Sequence, residues 1–222
     1  MAAVAPSRPS RRVLVAGATG LVGGLLLKGL LADASVAQVH APVRRPTGLS
    51  HPNLHILPVD FGALPEFAPL DEAYLALGTT IRIAGSQAAF RAVDVDANLA
   101  VARAAVRAGA RRIGLVSAAG ADARSAVFYN RVKGELEDAL RQLTLDGLVI
   151  ARPSLLLDGR AHLGQPPRMA ESLTIPLARW VAPLIPATYR PIHAAAVARA
   201  LLHAVPTAQG VRVLSSGEMA AG

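Results

Sequence analysis

Eleven residues near the amino terminus, Val13-Leu14-Val15-Ala16-Gly17-Ala18-Thr19-Gly20-Leu21-Val22-Gly23, restrict this chain more than any other stretch. An apolar run stops at a glycine, small residues come next, and a helix-forming run begins. Glycines at i, i+3 and i+6 let the backbone turn sharply, approach a ligand closely and pack the helix against the preceding strand. Amide N–H groups at the start of such a helix have no intrahelical partner, so the turn is a seat for a pyrophosphate. Glycines also serve packing alone in strand-turn-helix units, and the rest of the chain must decide between the two.

Five further apolar runs alternate with helical patterns. Strands are predicted at about Val36 to Val43, Asn53 to Val59, Ala73 to Leu77, Arg112 to Val116 and Leu148 to Ala151. Helices are predicted at Leu21 to Ala32, at Ser86 to Ala108 with Gly109 as C-cap, and at Val127 to Leu143. This order predicts an α/β fold with a doubly wound parallel sheet and right-handed crossovers. Of the 222 residues, 52% are hydrophobic, enough for one continuous core. We expect residues 1–11 to be a disordered lead-in and residues 12–222 a single domain. Beyond Asp158 a loop (159–167), an amphipathic helix (168–181, with Met169, Leu173, Leu177 and Trp180 on one side) and an irregular stretch (183–191) are expected, then a helix (193–205) and a strand (211–214) that close the domain, the helices and loops making a small C-terminal cap.

Several function classes are disfavoured. The chain has no cysteine, which removes disulfides and thiol chemistry, suits a reducing compartment and makes the cytoplasm the expected location. The longest uncharged apolar run, Val13 to Leu27, is broken by four glycines and is too short to span a membrane. The net charge of +8 invites a nucleic-acid reading, but the arginines are scattered and aromatic residues make up only 4% of the chain. A small-molecule substrate fits better, with homo-oligomerisation left open. No metal-ligand set stands out.

The strand ends carry the chemistry. The second strand ends in Arg44-Arg45 with no acid, where an arginine would pair the 2′-phosphate of NADP and an acid the 2′-hydroxyl of NAD. The position therefore favours NADP(H) over NAD, against the plain alternative of a solvated basic turn. Asp60 and Phe61 come after the third strand, either beside an adenine or as a simple cap. Leu77, Gly78, Thr79 and Thr80 end the fourth, small enough to let a cofactor cross the sheet edge.

Ser117 ends the fifth strand, and Tyr129 and Lys133 stand four apart on the next helix, on one face. A free phenol ionises near pH ~10, and a nearby ammonium favours the phenolate. Tyr129 can thus carry a proton while Ser117 holds a carbonyl oxygen.

These residues, with Leu77-Gly78-Thr79-Thr80, Val116 to Asp122, Tyr129 to Glu137 and Arg152-Pro153-Ser154, resemble the short-chain dehydrogenase/reductase superfamily. The resemblance is closest to its atypical, Tat-interacting-protein-like members and runs from about residue 12 to 205. It implies a Rossmann-type fold and NADP(H) across the sheet edge, with Gly17, Thr19, Gly20, Leu21, Val22, Arg152, Pro153 and Ser154 among the binding positions. It further implies Tyr129 as acid/base, Lys133 on the nicotinamide ribose and Ser117 orienting substrate. Ala118 stands where the subgroup often has a second serine. Ile192-His193 is not succeeded by an acid, which makes His193 a helix-start or core residue and, with no large substrate domain, argues against nucleotide-sugar chemistry. The reading is an NADP(H)-dependent oxidoreductase acting on a small carbonyl or alcohol; the alternative is a non-catalytic, NADP(H)-binding redox sensor.

Overall fold

A computed structural model describes residues 11–157 and 189–222. Seven parallel strands form one sheet: β1 (Arg11–Ala16), β2 (Val36–Val43), β3 (Leu54–Pro58), β4 (Glu72–Leu75), β5 (Arg112–Val116), β6 (Gly147–Arg152) and β7 (Gly210–Ser215). Their order is β3-β2-β1-β4-β5-β6-β7. The chain winds outward from β1 in one direction, then returns to lay β4 on its other side. A crevice therefore opens at the carboxyl ends of β1 and β4, the place where such sheets bind ligands.

Period-two alternation sorts each strand between two cores. Val13, Val15, Val149 and Ala151 face one side, packed by α1 (Leu21–Ala32) and α6 (Ala194–Ala204). Leu14, Ala16, Leu75, Ile113, Leu115, Leu148 and Ile150 face the other. There they meet α4 (Asn98–Arg107) and α5 (Phe128–Arg141), through residues such as Val101, Val132 and Leu136. Continuous apolar strands covered on both faces are what a parallel sheet requires.

The helix predicted over 86–108 is not uniform. It is α3 (Gln87–Arg91), a π-helical segment (Ala92–Ala97) and then α4. The Asn98 amide occupies the widened turn, donating to the carbonyls of Val93 (3.3 Å) and Asp94 (3.1 Å) and to Leu77 O (3.1 Å). A short α2 (Ile81–Ala84) precedes it, with Thr80 and Ser86 capping α2 and α3. The end of the chain holds an unanticipated α7 (Ser216–Ala221), started by a Ser215–Glu218 capping box.

Arg11 corrects the expected lead-in: it opens β1, and its guanidinium meets the buried Glu72 carboxylate at 2.8 and 3.1 Å while also pairing with Asp33. Glu72 in turn accepts from the buried Tyr74 hydroxyl at 3.0 Å. Residues 1–10, the loop at 159–167 and the amphipathic helix at 168–181 lie outside the described residues, as does most of the irregular stretch at 183–191.

Packing and burial each make stability testable. A Cβ at Gly23 would lie 2.0 Å from Gly17 O, a backbone atom that cannot move aside cheaply, whereas one at Gly48 meets nothing within 4 Å. Gly23→Ala should cost about 2–3 kcal/mol or more in urea unfolding and Gly48→Ala less than about 1 kcal/mol. His40 is buried on β2, stacked at 5.1 Å on His55 of β3, with Nε2 unpartnered. Burial first, then the nearby His55 and Arg12 charges, lowers its pKa below the usual 6.5. The unfolded chain then binds the proton more readily, so this stability is fully present above pH ~6.5 and is lost as pH falls below it. Urea unfolding between pH 7.5 and 5.5 should show that loss, and His40→Gln should flatten it.

Candidate functional site

The glycine turn works by backbone-to-backbone contact. Gly17 adopts φ +86°, and a Cβ there would lie 2.4 Å from Ala76 O on the segment after β4. Gly20 N–H closes the turn on Gly17 O at 2.8 Å. Gly20 is the N-cap of α1 and supplies no side-chain bond, so no cap competes for the first-turn N–H groups beside Leu21 and Val22. A helix start left open in this way suits an anion.

From that turn a crevice runs both ways along the strand ends. One arm, about 300 Å³, is walled by Gly17, Thr19, Gly20, Arg44, Asp60, Phe61, Leu77 and Gly78, together with Pro42 and Val43. The other, about 460 Å³, shares Gly20, Arg44, Leu77 and Gly78, then adds Leu21, Val22, Thr79, Thr80, Ser117, Tyr129, Lys133, Pro153 and Ser154. Volumes of this size are those of small-molecule sites. Gly78 lines both arms, and a Cβ there would meet only Asp94 Oδ1, at 3.7 Å. Asp60 lines the first arm, and its Oδ1 accepts from Gly62 N at 2.9 Å in a local turn; no helix starts there for it to cap. Arg45 is exposed and lines neither arm.

α5 delivers the Tyr–Lys pair. Its Gly134 lets the helix press on the preceding loop, since a Cβ there would fall 2.1 Å from Ala123 N. Tyr129 is 38% exposed on the crevice wall, its ring 5.8 Å from that of Phe90 on α3. Lys133 Nζ lies 6.0 Å from the Tyr129 ring centroid. The lysine is buried, and its ammonium meets Asp94 Oδ1 of the π segment at 2.6 Å. Asp94 Oδ2 accepts from Thr79 N at 3.0 Å.

Ser117 also has an unforeseen acid partner. Its Oγ donates to Glu137 Oε1 at 2.6 Å, and Glu137 is fully buried. Arg152 brackets the same carboxylate (Nε to Oε1 2.9 Å, Nη2 to Oε2 2.6 Å), and Arg141 Nη2 donates to Oε2 at 3.0 Å. A serine has one proton to give, and this one goes to Glu137, leaving only acceptor capacity for the crevice. Arg152, anticipated at the cofactor, lines neither arm, and its hydrogen bond to Glu137 raises its pKa against the opposing effect of burial. Pro153 and Ser154 do reach the crevice, the Ser154 hydroxyl donating to Arg190 O.

Asp94, Asn98 and Glu137 were assigned no role from the sequence. The signal was present: Asp94 and Asn98 are polar residues four apart, on one helix face, and Glu137 continues the face of Tyr129 and Lys133 one turn further. Among the described residues no three His, Asp or Glu side chains converge on a metal site, and no helix is long and apolar enough to cross a membrane.

The sequence profile of the NAD(P)H-binding family matches residues 17–176. Among relatives, Protein FMP52, mitochondrial, of Eremothecium gossypii is 39% identical over 150 residues, which cover 66% of this chain and 67% of that protein. Protein HTATIP2 of Rattus norvegicus is 35% identical over 158 residues, covering 68% and 65%. MoeE5 in complex with UDP-glucuronic acid and NAD shares the fold at a TM-score of 0.67 and 22% identity, over 91% of this chain and 75% of that one. A short chain dehydrogenase family protein from Francisella tularensis does so at 0.68 and 14%, over 95% and 99%. The cytoplasmic expectation is corrected by these findings, because FMP52 relatives from E. gossypii, Coccidioides immitis and Chaetomium globosum are all named mitochondrial. Lack of cysteine had pointed only to a reducing compartment, a property that does not separate the two locations. Glycine turn, crevice and sequence relationship agree: this chain belongs to the NAD(P)H-binding family and has a Rossmann-type fold.

Proposed function

We propose that the protein is an NADP(H)-dependent oxidoreductase acting on a small carbonyl or alcohol, with Tyr129 as its proton carrier. The observation that carries the reading is one crevice that joins Gly20 and Arg44 to Ser117, Tyr129 and Lys133. When bound, the dinucleotide supplies or takes up a hydride at its nicotinamide. The Tyr129 hydroxyl gives its proton to a carbonyl oxygen in one direction and takes it from a substrate hydroxyl in the other. Lys133 places positive charge beside that phenol, and positive charge favours a phenolate. Ser117, its proton committed to Glu137, accepts from a substrate hydroxyl or from Tyr129 and so orients the reacting oxygen. Arg44 supplies the fork that suits a 2′-phosphate, and no acid stands at the end of β2 to favour a 2′-hydroxyl.

The second reading, an NADP(H)-binding regulatory protein without turnover, has an observation in its favour. Both Ser117 and Lys133 are held by buried carboxylates of the protein itself. NADPH oxidation against a panel of small aldehydes and ketones separates the two. Turnover is expected, and Tyr129→Phe should lower kcat about 10²- to 10⁴-fold while the NADPH Kd changes less than about threefold. Tight NADPH binding with no turnover on any carbonyl would favour the regulatory reading instead.

Cofactor choice is tested separately by binding. Arg44→Ala should narrow the preference for NADPH over NADH by about tenfold, the scale of a charge-assisted phosphate contact. Arg45→Ala should change it less than about twofold. An unchanged preference in Arg44→Ala would remove the basis for NADP(H).

A further inference from the structure

We propose that Asp94 is a positioning residue for this site, acting through Lys133. Its carboxylate holds two elements at once: the Lys133 ammonium of α5 at 2.6 Å and the Thr79 amide after β4 at 3.0 Å. Both side chains of the ion pair are buried, with 6% exposure for Lys133 and 1% for Asp94. Asn98, one turn on, fixes the same loop through Leu77 O. The floor of the crevice and the helix bearing Tyr129 are thereby tied together through one side chain. π-Helical turns of this kind occur often at functional sites, and this one aims Asp94 across α5.

The pair also sets the charge that Tyr129 meets. An ammonium alone would pull strongly on a neighbouring phenol; an ammonium neutralised by a carboxylate pulls less. Among the described residues, the charged or titratable groups lining this arm are Arg44, Asp94, Tyr129 and Lys133. On the adjoining elements Arg91 of α3 pairs with Glu135 of α5, and behind Ser117 the Glu137 carboxylate is matched by Arg152 and Arg141. Asp94 is thus the lining acid that moderates Lys133.

This inference rests on Tyr129 as the proton carrier, but its first test needs no substrate. Thermal unfolding of the free protein is compared for the parent, Asp94→Asn, Lys133→Met and the double variant. Each single change leaves a buried charge unmatched and should lower Tm on the order of 10 °C, while the double variant recovers more than half of the loss. Should Asp94→Asn fail to fold, Lys133→Met and the double variant suffice: the double must be the more stable. Additive losses, or a double variant less stable than Lys133→Met, would overturn the proposal. The second readout is the pH profile of alcohol oxidation. Asp94→Asn unmasks the ammonium and should move the acid limb of kcat about one pH unit lower, with the KM for NADP changed less than about threefold. A lowered kcat with an unmoved profile would mean that Asp94 is structural only, which also overturns the proposal. Full turnover in Tyr129→Phe would sink Tyr129 as the proton carrier while leaving the unfolding comparison to stand by itself.

Discussion

The approach of three backbone segments at Gly17, Gly23 and Ala76 is the constraint on which the nucleotide end of this molecule depends. No side chain fits between the turn and the first helix, or between the turn and the end of β4. Because β4 is seated against β1 in register, from Val13 with Glu72 to Ala16 with Leu75, the close contact fixes where the sheet splits. It also brings the uncapped start of α1 to the mouth of the crevice. The position of the turn and its open amides both result from missing side chains.

The opposite end of the crevice is organised by charge instead. Two of the polar groups at this end are gripped from behind by a buried acid: Ser117 by Glu137, Lys133 by Asp94. These acids are themselves balanced, Glu137 by two arginines and Asp94 by the lysine and a backbone amide. Burying a carboxylate is costly unless it is matched in this way. The resulting frame spans β5, α5, β6 and the π segment, so the geometry at Tyr129 is inherited from several elements rather than from α5 alone.

How legible this was depended on what each feature requires. The six apolar runs and the glycine spacing obey short-range rules, and the parallel order of the sheet could be read from them. Tyr129 and Lys133 share a face through helical period alone. The partners of Ser117, Lys133 and Arg152 could not be read in this way, because Glu137 meets the first and the last, and Asp94 meets Lys133, across the fold. The Arg152 placement illustrates this: next to Pro153 and Ser154 in sequence, its guanidinium leaves the crevice for Glu137. The π turn escaped because its apolar residues still fit a helical repeat. The α7 start at Ser215 to Glu218 was written in the local sequence, in the spacing of a capping box.

The π segment carries a consequence for how this chain can vary. A π turn holds one residue more than an α turn, which rotates the helix before it by about 100° relative to the helix beyond it. Phe90, ahead of the segment, faces Tyr129, and Val101, beyond it, lies in the core beside the sheet. Both placements hold only with the additional residue in between. Loss of one residue anywhere from Ala92 to Ala97 would turn either the aromatic wall or the core face out of register.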